Sequence, residues 1–194
     1  TKMFDINPEH VDIRVLTSIG NCHRKLKTFD KGTKYFEMAL VREPKNFYAL
    51  FGLADCYRGM NQQYKSIEYW NKILEIDPNN KVILTRASDA YRTTSNYEQA
   101  KIYYNKALEI DFDIYAAIGL ALICKGEGNF EQAIARFENL IKDDPRNGRL
   151  YLDLADCYVA QGRKAEAVKL LENYLKSDGS NNIVRNALDR IMHS

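Results

Sequence analysis

Apolar and small side chains recur along the chain at offsets of three and four, and the whole pattern then returns at the step that separates Pro44 from Pro78. The stretch Glu75–Asn80 (EIDPNN) is a landmark, with similar stretches at Glu109–Ile114, Lys142–Asn147 and Lys176–Asn181. Aligned on these, segments 13–46, 47–80, 81–113, 114–147 and 148–181 superpose, four of equal length and the third shorter by a single position. Numbered within each segment, position 4 reads Leu16, Leu50, Leu84, Ala117, Tyr151 and position 7 reads Ile19, Leu53, Ala87, Leu120, Leu154. Position 8 is small throughout (Gly20, Ala54, Ser88, Ala121, Ala155), and position 11 reads His23, Tyr57, Tyr91, Cys124, Tyr158. Offsets of this kind mark one face of a helix.

A second helix is predicted in each segment. Its position 20 is again small (Gly32, Ser66, Ala100, Ala133, Ala167), and position 24 is large (Phe36, Trp70, Tyr104, Phe137, Leu171). Position 27 reads Ala39, Ile73, Ala107, Leu140, Tyr174, and position 32 reads Pro44, Pro78, Phe112, Pro145, Gly179. Small residues at 8 and 20 let two helix backbones approach, and the bulky residue at 24 fills the wedge left open. Proline cannot continue a helix, so it stops the second one. A single hairpin of this kind cannot bury both faces, whereas stacked neighbours share a continuous core. The expected fold class is all-α.

These segments resemble the tetratricopeptide repeat family. The likeness is clearest in 81–113, with Ala87, Ser88, Tyr91, Tyr97, Ala100, Tyr104 and Ala107, and next in 47–80, which closes on NKILEIDPNN. It covers residues 13–181. Gly32 stands where the family has alanine, Phe112 and Gly179 where it has proline, and Lys164 where it prefers an aromatic. The resemblance implies a right-handed superhelical solenoid of antiparallel helix hairpins, with repeats at 13–46, 47–80, 81–113, 114–147 and 148–181. Residues 182–194 carry Ile183, Val184, Ala187, Leu188, Ile191 and Met192 on one stripe, which suits a capping helix. Arg185 and Asp189 at positions 4 and 8 speak against a sixth repeat there. Residues 1–12, with MFDINP (Met3–Pro8), read as the end of a truncated upstream repeat, so a longer array is expected before them.

In the family, positions 2, 5, 6, 9, 12 and 13 of the first helix face a concave groove. The partner-binding residues this implies are Arg14, Asn21, Arg24, Tyr48, Phe51, Asp55, Arg58, Arg86, Asp89, Arg92, Tyr115, Lys125 and Arg149. Asp55–Arg58 and Asp89–Arg92 are i, i+3 pairs on one face. Tyr48, Phe51 and Tyr115 stand at expected exposed positions, where apolar side chains mark interaction patches; the bland alternative is that each tucks against the next hairpin. The ladder Arg24, Arg58, Arg92, Lys125 is spaced to meet an acidic or C-terminal chain, or else is neutralised by the aspartates. One subtype of the family grips the acidic tails of heat-shock chaperones with a two-carboxylate clamp. Of its five positions, here Thr17, Asn21, Gly52, Val82 and Arg86, only Asn21 and Arg86 match, so this clamp is not expected.

Composition narrows the function without deciding it. Formal net charge is +2, so no general pull toward nucleic acid or an anionic membrane operates. No run reaches the ~20 apolar residues of a membrane helix, so no membrane insertion is expected. Residues 11–46 hold eight Lys or Arg against four Asp or Glu, with Lys25, Lys27, Lys31 and Lys34 about the first turn, read as a solvated edge. Cys22, Cys56, Cys124 and Cys157 have no CxxC partner, and hairpins about 10 Å apart exceed the ~7 Å reach of a disulfide. They read as small apolar fillers, and free thiols favour a reducing, cytoplasmic compartment. His10, His23 and His193 show no metal-ligand spacing, His23 and Trp70 read as core, and GluGlyAsn at 127–129 reads as a turn. No phosphate loop, nucleophile elbow or HExxH motif is present, so neither catalysis, metal nor cofactor is expected. A protein-binding scaffold is the leading function. Self-association and a regulatory domain of a larger enzyme are the alternatives. RNA binding in the manner of pentatricopeptide hairpins is disfavoured by the period and the near-neutral charge.

Overall fold

The computed structural model describes residues 11–193, and within them the chain is helical with no strand. The helices are α1 (Ile13–Lys25), α2 (Phe29–Arg42), α3 (Phe47–Gly59), α4 (Gln63–Ile76), α5 (Lys81–Thr93), α6 (Tyr97–Ile110), α7 (Ile114–Gly126), α8 (Phe130–Asp143), α9 (Gly148–Ala160), α10 (Lys164–Ser177) and α11 (Asn182–His193). The segment Met3–Pro8 and His10 lie outside the described residues. The chain divides into two compact units, Thr1–Asp111 and Phe112–Ser194. In the first, α1 through α6 form three antiparallel hairpins, each packed on the next. In the second, α7 through α10 form two more, and α11 packs on α10 and touches α9.

Each boundary has a local cause. Asp12, Asn46, Asn80 and Asp113 precede first helices and accept backbone N–H bonds from the first turn, for example Asn46 Oδ1 from the Ala49 N–H at 3.1 Å. Asparagine and aspartate do this well because their short side chains reach orphan helix donors. Asn46 and Asn80 are also held themselves, donating to Glu43 and Asp77 in the preceding turn. Second helices end at Arg42, Ile76, Ile110, Asp143 and Ser177, each just ahead of position 32. The turn inside every hairpin passes through one residue with positive φ: Lys27, Asn61, Ser95, Gly128 and Gly162. The next residue's N–H then bonds back across the turn, as Gln62 does to the Tyr57 carbonyl at 2.8 Å, which closes the helix end.

The core follows the size alternation. Every residue at positions 8 and 20 is buried, and Phe36, Trp70, Tyr104, Phe137 and Leu171 at position 24 are fully enclosed. The fit is close at the second hairpin. A Cβ added to Gly52 would lie 2.2 Å from Cζ of Phe36, so only glycine lets α3 lie against that ring. Apolar area of this kind supplies the main favourable free energy of folding.

Two expectations about fillers need correction. Cys56, Cys124 and Cys157 are buried, but Cys22 is exposed. The Cys56 sulfur sits 3.3 Å from the Cβ position of Gly32, so this repeat position packs back on the preceding hairpin. Among the described residues no helix precedes α1 for Cys22 to pack on. His23 is only half-buried: its ring stacks on Tyr35 at 5.5 Å, and Nδ1 lies 2.9 Å from the Thr28 hydroxyl.

Candidate protein-binding face

The first helices of the first unit bring their charged residues together around one carboxylate. Asp55, on α3, is buried. Its Oδ2 accepts from Arg24 Nη1 at 2.6 Å, and its Oδ1 accepts from Arg58 Nε and Nη2 at 3.0 and 2.7 Å. Arg86 Nη1, on α5, reaches the same Oδ1 at 3.4 Å. One aspartate therefore ties together α1, α3 and α5. Burial pushes the Asp55 carboxyl up, but the hydrogen bonds and charges of Arg58 and Arg24 outweigh it and hold the group below the ordinary carboxylate value.

An aromatic floor fixes these guanidiniums. Arg24 and Arg86 lie over the Phe51 ring, at 5.8 and 5.2 Å from its centroid, and Arg86 also lies over Trp70 at 5.8 Å. Phe51 meets Trp70 edge-on at 5.2 Å. Phe51 is thus half-buried and tucked against its neighbours, while Tyr48 and Tyr115 are exposed. Asn21 accepts from Arg24 Nε at 3.2 Å, which orients that side chain further. Arg14 is exposed on α1 and joins none of these contacts among the described residues.

Asp89 and Arg92 form their own group. Arg92 Nη2 reaches Asp89 Oδ1 at 3.5 Å, and the buried phenol of Tyr104 donates to the same oxygen at 2.6 Å. Burial, then the Asp89 charge, push the Tyr104 hydroxyl far above its ordinary value, so it stays a donor. The two i, i+3 pairs expected from spacing are both made.

The second unit carries a different cluster. Lys125 Nζ, on α7, contacts Asp153 Oδ1 at 3.0 Å and Asp156 Oδ2 at 2.8 Å, both on α9. Arg149 Nε donates to Asp153 Oδ2 at 2.9 Å. Burial lowers the Lys125 ammonium, but the two aspartates more than compensate and raise it. Asp153 is buried and central, yet it does not stand out in the sequence. It occupies position 6, where other segments hold Ser18, Gly52, Arg86 and Gly119, so no column points to it. A cleft of about 390 Å³ opens beside it, lined by Arg149, Leu152, Asp153 and Asp156 of α9 and Ile183, Asn186, Ala187 and Arg190 of α11. The two sets have the same spacing within their helices, so α11 continues the face that α9 begins.

Among the described residues no group of histidine, cysteine and carboxylate side chains could hold a metal ion, and no helix is long and apolar enough to cross a membrane.

Family models described as tetratricopeptide repeat match residues 47–80, 83–114 and 126–191. No curated protein matches the sequence. Among solved structures, a tetratricopeptide repeat protein from Parabacteroides merdae superposes with a TM-score of 0.79, over 98% of this chain and 88% of its own, at 20% identity. MamA from Desulfovibrio magneticus gives a TM-score of 0.78 at 14% identity, covering 88% of this chain and 97% of its own. YrrB, described as a TPR protein with an unusual peptide-binding site, gives 0.70 at 16% identity, covering 96% and 95%. At such identities the likeness speaks to the fold alone. The repeated size pattern, the stacked hairpins and the matched models agree, and the chain belongs to the tetratricopeptide repeat family.

Proposed function

We propose that this chain is a binding module rather than a catalyst, and that the first-helix face of each unit holds a peptide segment or helix of a partner protein. The observation that carries the reading is large apolar side chains left in solvent at position 2, beside charges already held in place. Tyr48 is 67% exposed, Val82 53% and Tyr115 71%. Exposed apolar groups set in a polar surround mark interaction sites. The charged neighbours are fixed by one another, so little side-chain ordering remains to oppose association. The peptide-binding site named for YrrB, a protein of the same fold, supports the same use of this one.

The test is partner capture with Tyr48→Ser/Tyr115→Ser beside wild type, with an Arg58→Glu/Arg92→Glu variant in parallel. Both tyrosines are exposed, so circular dichroism should be unchanged by the first pair while capture falls. If every partner persists through both variants, the assignment to this face is wrong. Exposed Val41, Tyr64 and Ile102 on the second helices favour self-association as the second reading. A sedimentation mass independent of concentration would end it.

A further inference from the structure

We propose that the three guanidiniums converging on Asp55 form a phosphate-recognition site, which takes a phosphate monoester carried on the partner segment. This rests on the reading of the first-helix face as the partner surface and names the chemistry of one point on it.

Charge count is the first observation. Arg24, Arg58 and Arg86 all lie within contact of a single carboxylate, so the cluster keeps two positive charges beyond what Asp55 neutralises. A structural ion pair needs no such excess. The Lys125 cluster of the second unit shows the ordinary case, with Lys125 and Arg149 against Asp153 and Asp156 and no charge left over. A phosphate monoester near neutral pH carries about 1.5 to 2 negative charges and three acceptor oxygens. It balances the excess, whereas a single carboxylate leaves one positive charge unmet.

Unused donors are the second observation. A guanidinium has five N–H groups in a planar fork suited to phosphate. Arg24 uses Nε and Nη1, Arg58 uses Nε and Nη2, and Arg86 uses Nη1 alone. Arg24 Nη2, Arg58 Nη1 and both Nε and Nη2 of Arg86 hold no hydrogen bond among the described residues. These side chains reach solvent, with 24%, 48% and 36% of each exposed. Part of each side chain thus faces solvent, while Asp55 holds the guanidinium groups from within.

Rigidity is the third. Phe51 lies under both Arg24 and Arg86, and Asn21 holds Arg24 from its own helix. The forks stand in place before any ligand arrives, which lowers the ordering cost of binding. Exposed Tyr48 and Val82 on the same helices supply apolar contacts for residues flanking the phosphate.

The experiment uses a short labelled Gly/Leu peptide with phosphoserine, glutamate or serine at its centre. Binding is followed by anisotropy, and by fluorescence of Trp70, the single tryptophan, which lies beneath Arg86. The phosphoserine peptide should bind about tenfold more tightly than the glutamate peptide, the difference expected from one or two added charge-assisted hydrogen bonds. Arg58→Gln, which leaves Arg24 and Arg86 on Asp55, should erase most of that preference with the fold intact by circular dichroism. Lys72→Met, on α4 and paired there with Glu68, should leave it unchanged. Equal binding of the phosphoserine and serine peptides would overturn the site, yet loss of both with Tyr48→Ser would leave the partner face standing. Equal binding of phosphoserine and glutamate would assign the cluster to carboxylates and also overturn it. Binding of none of the three up to their solubility overturns it as well, while partner capture judges the face separately.

Discussion

The two units solve the same electrostatic problem with opposite stoichiometry. In the first, one buried aspartate gathers three arginines from three successive hairpins. In the second, one lysine gathers two aspartates, and an exposed arginine completes the balance. Both use the same rung: a cation near the end of one first helix meets an acid on the next first helix, Arg24 with Asp55 and Lys125 with Asp156. The difference lies in what else arrives. Arg58 and Arg86 crowd onto Asp55, so that cluster depends on a single anion and keeps surplus charge for a partner. The Lys125 cluster is self-contained.

Removing the central ion should therefore hurt the first unit more. Asp55→Asn leaves three guanidiniums facing one another with no counter-ion and should cost about 3 kcal/mol, the low end for a broken buried pair because the arginines can regain water. Lys125→Met leaves Asp153 with Arg149, and Asp156 already faces solvent, so about 1–2 kcal/mol is expected. Urea unfolding of the two variants beside wild type decides the order. An equal or larger loss for Lys125→Met would break the contrast between the units.

pH separates the clusters by sign. The folded Asp55 carboxyl is held below its ordinary value of 3.8, so its contribution is complete above that value and disappears as pH falls through the lower, folded one. The folded Lys125 ammonium is held above its ordinary 10.5, so its contribution is complete below that value and disappears as pH rises past it. The stability gap between wild type and Asp55→Asn should thus narrow in acid and persist in alkali. The gap for Lys125→Met should narrow in strong alkali. A gap for Asp55→Asn that stays constant down to acid unfolding would mean that its charge is not what holds the arginines.

Much of the fold was legible in the sequence, and less of the site. The side chains at positions 8, 20 and 24 can be read from the chain because each faces the same neighbour in every hairpin. Gly20, Ser66 and Phe137 are buried for reasons of size that composition already shows. The i, i+3 pair of Asp55 with Arg58 is also local. Arg24 and Arg86 reach Asp55 only because hairpins stack, and no rule within one helix announces that. The recurring offset between a position 12 cation and the position 9 acid of the next segment, as in Arg24 with Asp55, is the available signal. It cannot stand alone: Arg58 and Asp89 share that offset, but Asp89 goes instead to Arg92 and Tyr104. Phe51 shows the same limit. Its column suggests exposure, and only the neighbouring Trp70 and Arg86 show why it is half-buried.

The smallest expected effect lies in the turns, and it again divides the units. Every hairpin passes through one residue with φ between 58° and 78°. In the first unit these are Lys27, Asn61 and Ser95, while in the second they are Gly128 and Gly162. A side chain in this left-handed region clashes with its own backbone, at a cost of about 1–2 kcal/mol, which asparagine tolerates best and glycine avoids. Ser95→Gly and Lys27→Gly should therefore stabilise the first unit by about 0.5–1 kcal/mol after the greater freedom of glycine in the unfolded chain is subtracted. Asn61→Gly should change little. Gly128→Ala and Gly162→Ala should destabilise the second unit by about 1 kcal/mol, and through φ alone, since an added Cβ at either site meets nothing within 4 Å. Amide exchange in the flanking helices reads each change locally, which suits an array whose hairpins open separately. Opposite signs in the two units are the expected outcome. If Ser95→Gly loosened α5 and α6 instead, the turn would owe its shape to the serine side chain and not to the backbone.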